Sequence, residues 1–275
     1  MIARVMTWYT FLQISLNERL VYRGDFILGT LMRFLPTITQ IFLWGAIFQS
    51  VSGNEIADFR FGDIIAYYLL TTISRAFSSM PGLTSGVAEQ VRSGEIKKFL
   101  IQPIDMVGCL LIQRIAHKLV YYLMAAIPFT LVFFLCRSFF IDGWPSGEVL
   151  MVYFASLILG FCLGYFLECC IGLVAFWWLE VGSLTFIFML MNFFLSGHMF
   201  PLDLLPSDPI NIRGFVEALP FIYLAYFPAA VFLGKIEGAE MYTGLAIEAC
   251  WVVFFIVLAR VLWWRGVNRY SGFGG

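Results

Sequence analysis

Charge is scarce in this chain: only 13% of its 275 residues are Asp, Glu, Lys or Arg, about half the share of an ordinary soluble domain. Histidine occurs only twice, and none of the six cysteines belongs to a C-x-x-C pair. There is no G-x-x-x-x-G-K-[ST], no G-x-G-x-x-G following a strand, no G-x-S-x-G and no H-E-x-x-H. These absences remove the usual grounds for a zinc site, for nucleotide hydrolysis and for the common hydrolase mechanisms. Catalytic, cofactor-binding and metal-binding residues are therefore all expected to be none. Net charge is −1, from 17 basic against 18 acidic residues, so no electrostatic footprint of a nucleic-acid partner exists.

Apolar surface is abundant instead. Hydrophobic residues make up 61% of the chain, with 30 Phe and 8 Trp among them, and the mean hydropathy is +0.86. A soluble globule of this size has too little interior to hide them. An ordinary soluble enzyme, a disordered chain and a disulfide-framed secreted module are excluded. Runs of about 18 or more apolar residues are the mark of spanning helices, so the chain reads as an all-α polytopic membrane protein. Cys109, Cys136, Cys162, Cys169, Cys170 and Cys250 mostly sit in those runs and read as packed thiols.

Residues 1–25 do not read as a cleaved signal, because Arg4, Glu18, Arg19 and Arg23 interrupt them. Val5, Trp8, Leu12, Leu16 and Leu20 recur at helical spacing. The segment is expected to form an amphipathic helix, lying on the membrane surface or packed on the rest of the protein. Six spans follow, near residues 26–48, 64–80, 106–136, 148–178, 181–199 and 243–264, with the turn between the fourth and fifth at residues 177–182. Residues 201–242 hold five of the ten prolines and are expected to dip into the membrane from outside and return.

Six spans put both termini on one side. That side collects Arg4, Arg19, Arg23, Arg92, Lys97, Lys98, Arg114, Lys118, Arg260, Arg265 and Arg269, eleven basic residues. The other side has four, Arg60, Arg137, Arg213 and Lys235. The excess assigns the first side to the cytoplasm.

Four features stand out. In the cytoplasmic segment 81–105, residues 86–92 can form a short helix with Val87 and Val91 on one face and Glu89, Arg92 and, beyond it, Glu95 as a charged rim. It reads as a docking knob for a cytosolic protein or as a solvated loop, and Ser93-Gly94 and Pro103 end it. In the fourth span Ser156, Gly160 and Gly164 recur every four residues and allow close helix packing, with Glu168 next in the row. Glu168 reads as a structural partner of Arg75 or Arg33, which also lie within spans, or as part of a substrate or proton path. The third feature is LSGHMFPLDLLP at residues 195–206, whose His198 has a structural or pH-sensing role. The fourth is the aromatic set Tyr67, Tyr68, Trp177, Trp178, Trp263 and Trp264, read as an interfacial belt.

Three passages resemble the permease subunits of ABC-2 type ABC transporters, in the branch of small six-span permeases. VRSGEIKKFLIQPID, residues 91–105, is similar to that family's I-x-x-G-x-[IL]-x-x-x-L-[IL]-x-P loop. Residues 195–206 resemble its SG-x-x-x-P-x-x-x-x-P motif, and Leu219-Pro220-Phe221 with Pro228 and Gly234 its outer LPF…P…G segment. Gln102 stands where Arg is commoner in the family, so no phosphate or partner contact is expected there. The resemblance covers essentially the whole chain. It implies one permease domain, residues 1–275, with a coupling helix between spans two and three. It also implies a second permease copy, identical or related, and separate ABC ATPase subunits that bind ATP and magnesium, with no cofactor on this chain. The same resemblance implies a bacterial cytoplasmic membrane with its lipids as the surroundings, and export of a lipid, a glycan or a hydrophobic drug-like molecule. Two rival readings are a membrane-embedded lipid-modifying enzyme using Glu168 and His198, and a secondary transporter.

Overall fold

The computed structural model describes residues 10, 12–17, 29, 32, 34–50, 55–56, 59–101, 105–140, 143–178, 180–206 and 211–270. Of the expected N-terminal helix, residues 12–17 are helical. The rest of it except residue 10, together with Arg33, Gln102 and Pro103, lies outside the described residues.

Helix α1 is Leu35–Ser50. Two short antiparallel strands follow, β1 Glu55–Ile56 and β2 Phe59–Arg60, with Ile56 paired to Phe59. Helix α2, Phe61–Ser78, starts where the Asp63 carboxylate turns back to accept from the Arg60 backbone N–H at 3.0 Å and from its Nε at 2.9 Å, which satisfies donors a helix start leaves open. Helix α3 is Leu83–Arg92 and α4 is Lys97–Ile101. Between them Gly94 has φ +78, a left-handed conformation that suits glycine and stops the helix.

Helix α5, Met106–Leu135, is capped by Asp105, which accepts from Gly108 N at 2.8 Å. Helix α6 is Gly147–Leu173, extended by a 3₁₀ turn over Val174–Phe176. Helix α7 is Gly182–Leu195, α8 is Ile212–Glu217, α9 is Tyr226–Phe232 and α10 is Gly238–Arg269. Among the described residues, three helices are long and apolar enough to cross a membrane: α5, α6 with its 3₁₀ extension, and α10. Helices α1, α2 and α7, with 16, 18 and 14 residues, fall at or below the lower end of the usual spanning length. Helix α2 also carries Asp63, Arg75 and several hydroxyl groups.

Helix α6 is the central element, with α2, α3, α9 and α10 packed on it. In its apolar window 61% of the residues are buried inside the protein, against 22% for α5 and 17% for α10. The glycine row makes this possible. A Cβ on Gly164 would stand 2.0 Å from the Ser78 carbonyl oxygen, and one on Gly160 would stand 3.2 Å from that of Tyr223. Helix α2 and the 220–224 turn therefore approach α6 at backbone distance.

Contacts sort the elements into two ends. At one end Arg92 reaches Glu180 at 3.4 Å and Arg260 reaches Asp105 at 2.6 Å. At the other, the Phe61 and Phe139 rings meet edge to face, Phe140 meets Phe232, and the Tyr242 hydroxyl bonds Glu148.

Candidate functional site

The junction of α2 and α3 is held by side chains from two other helices. Lys118 on α5 is buried, and its Nζ donates to the Ala76 carbonyl and, at 2.7 Å, to that of Ser79. Arg114, one turn earlier, donates to the Pro81 carbonyl at 2.9 Å. The last carbonyls of a helix lack intrahelical partners and favour a positive charge. Two cations from α5 supply both at the end of α2. From α6, Glu168 Oε1 accepts from Met80 N at 3.2 Å, and the Glu168 backbone carbonyl accepts from Thr84 Oγ1 at 3.1 Å. Arg114 and Lys118 also act electrostatically on Glu168. The turn is thus fixed from both sides.

Glu168 is thus engaged with the turn and with α5 rather than with Arg75, while the alternative partner, Arg33, lies outside the described residues. Its carboxylate serves the 79–84 turn, with Arg114 and Lys118 acting on it, because Gly164, one turn earlier on α6, lies against Ser78 at the end of α2. Arg75 is half-buried on α2 and lies within electrostatic reach of His198. His198 stacks edge to face on Phe193.

Helix α3 turns its apolar face inward. Val87 is 1% exposed and Val91 2% exposed, in a cluster with Leu83, Ala88, Cys169, Cys170, Leu173 and Phe176. They are not outward anchors for a partner. Gly172 removes the side chain that would otherwise meet Val87, since a Cβ there would lie 2.8 Å from Val87 Cβ. The outward face carries Ser85, Gly86, Glu89 and Arg92, and Glu95, Lys97 and Lys98 continue it. Arg92 bridges Glu89 at 2.8 Å, and Lys98 bridges Glu95 at 3.1 Å. Leu100 and Ile101 at the end of α4 are exposed apolar residues on the same segment.

At the opposite end the motif 195–206 packs on α2 and α9. Tyr67 donates to the Gly197 carbonyl, and Tyr68 donates to the Met199 carbonyl at 2.7 Å while accepting from Trp44 Nε1 at 3.0 Å. Tyr226 N donates to the Ser196 carbonyl at 3.0 Å, and its hydroxyl donates to Asp203 at 2.9 Å. Gly197 has φ +76, and any Cβ there would meet Tyr67 and Tyr226. Arg213 bridges Asp203 at 2.9 Å and Glu217 at 2.7 Å. The Glu217 hydrogen bond, with Asp203 nearby, holds the guanidinium above its usual range. Tyr67 and Tyr68 are therefore internal fasteners rather than interfacial belt residues. Trp178 and Trp264 are largely exposed.

One residue was passed over in sequence. Glu248, five residues into the expected last span at 243–264, is 0% exposed. Its signal was that of Glu168, a lone carboxylate inside an apolar stretch.

A sequence profile of a family described as "ABC-2 family transporter protein" matches residues 34–274. No curated protein matches the chain.

Proposed function

The chain belongs to the ABC-2 transporter family as a membrane-embedded transport permease, and from that premise we propose that it is the exporting subunit of an ATP-driven transporter. ATP and magnesium are bound by separate ATPase subunits, and this chain performs no hydrolysis. It works with a second permease copy. It moves a lipid, a glycan or a hydrophobic drug-like molecule across a bacterial cytoplasmic membrane. Helices α1, α2, α5, α6, α7 and α10 are its six spans, both termini are cytoplasmic, and residues 201–242 fold back on the outer side.

One observation carries this reading. The turn between α2 and α3 is clamped by Glu168, Arg114 and Lys118, so a push on α3 is delivered to α2, α5 and α6 together. Helix α3 keeps its apolar face inside and offers a charged outer face, with Leu100 and Ile101 as apolar contacts. Such a surface suits a reversible cytosolic partner, whose contact needs an apolar anchor within a polar rim.

Gly86→Trp tests it, because a Cβ at Gly86 meets nothing within 4 Å. The variant should assemble normally yet lose ATP-driven transport and co-elution with the ATPase subunit that accompanies the unaltered protein from native membranes. Unchanged transport and an intact complex would remove α3 as the contact. Absence of any co-eluting ATPase from the unaltered protein would remove the ATP-driven reading itself.

A further inference from the structure

Glu248 faces the seam between α6 and α10. Both of its carboxyl oxygens are buried without a hydrogen-bond partner, and so is the hydroxyl of Ser156, which faces it from α6. Gly160, one turn on from Ser156, leaves the carboxyl room: a Cβ there would stand 3.6 Å from Glu248 Oε1 and 3.2 Å from the Tyr223 carbonyl oxygen. The other titratable groups near it are Cys162 on α6 and Tyr223 in the 220–224 turn. Phe227 and Phe176, which meet α10 at Gly244 and Gly266, are apolar. Among the described residues no Lys, Arg or His acts on the Glu248 carboxyl.

A carboxylate sealed in an apolar seam with no cation beside it is too costly to keep ionised. A metal ion needs more oxygen ligands than one carboxyl, one hydroxyl and one carbonyl supply. An organic cation needs a cavity, whereas even a methyl at Gly160 would crowd the Tyr223 carbonyl oxygen at 3.2 Å and touch the carboxyl at 3.6 Å. A proton requires neither. We propose that Glu248 is a proton-binding site within the membrane, which holds its proton while α6 and α10 are closed on each other and, once protonated, donates to the Ser156 hydroxyl that faces it. The site depends on α6 and α10 lying in the membrane and not on any ATPase partner.

Infrared spectroscopy of the purified permease in lipid nanodiscs tests this. The difference between unaltered protein and Glu248→Gln should contain the C=O stretch of one protonated carboxyl at neutral pH, and the two proteins should have the same thermal stability. A carboxylate pair of bands in that difference would overturn the proposal. Should Glu248→Gln fail to assemble, Ser156→Ala in protein carrying ¹³C-labelled glutamate serves instead. Its protonated-carboxyl band should shift as the hydrogen bond is lost, and an unshifted band, or none in the unaltered protein, would equally overturn the proposal.

Discussion

Single residues set how tightly the helices meet. Gly164 and Gly160 lie on the same α6 row, but their surroundings differ. A methyl at Gly164 would stand 2.0 Å from backbone oxygen, whereas at Gly160 the closest atom is 3.2 Å away. Gly164→Ala should cost about 1–3 kcal/mol through overpacking, and Gly160→Ala less. Thermal unfolding of the detergent-solubilised protein would show the order, and a reversed order would remove Gly164 from the contact with α2. Val91→Asp should do more than uncouple a partner. An unpaired charge forced among Leu83, Cys169 and Leu173 costs about 3–5 kcal/mol, so the yield of assembled protein should collapse, whereas Glu89→Lys on the exposed face should leave it unchanged. Residue spacing alone showed that Val87 and Val91 share a face. It could not show which side that face turns to, because the partner surface, Gly172 and its neighbours, is about 80 residues away in the chain and meets α3 only in the fold. The same limit hid the roles of Tyr67 and Tyr68, whose hydrogen-bond acceptors lie 130 and 131 residues away.

Elements were more legible than contacts where a local signal marked their ends. Gly94, expected from the sequence to end the α3 segment, does so with a positive φ, and the structure adds Asp105 and Ser146 as caps of α5 and α6. Helix α7 falls short of its expected extent of 181–199 because the chain turns at Gly197 to pack on Tyr67, a contact with no signature in the apolar run itself. The α2–α3 junction makes a prediction at this scale. Lys118→Met leaves the Ala76 and Ser79 carbonyls without their donor, which costs about 1–3 kcal/mol for a buried acceptor. Stability should fall modestly and ATP-driven transport should fall further, since α3 is no longer fixed to the end of α2. Glu168→Gln keeps an acceptor for Met80 N and should be the milder of the two. Measuring thermal stability and transport in the same preparations separates the effects, and equal losses in both would make the junction structural only.

For the whole molecule, the two ends defined by Arg92–Glu180 and by Tyr242–Glu148 must face opposite compartments if the proposed six spans hold. Single cysteines at exposed positions, Ser93→Cys and Trp144→Cys, introduced where the six native cysteines have been replaced, report on each. A membrane-impermeant maleimide should label Trp144→Cys in intact cells and Ser93→Cys only after lysis. Labelling of both from outside would defeat the assignment from basic residues. The charge count can be made from sequence because it needs only the positions of Lys and Arg, whereas the dense packing of α2, α3, α9 and α10 on α6 depends on long-range pairings.

The reach of Lys118 to Ala76, across 42 residues of chain, also bears on how the protein is made. When α2 leaves the ribosome its final carbonyls have no donor other than water or lipid headgroups, and the residue that satisfies them has not yet been synthesised. Helix α2, with its Asp63, Arg75 and hydroxyls, is a poor candidate to settle in the bilayer by itself. It becomes secure once α5 arrives and threads its two cations under it. Biogenesis should therefore treat α2 through α5 as a single insertion unit. A nascent chain halted before α5 should remain with the insertion machinery or be degraded, while one halted after α5 should be retained in the membrane.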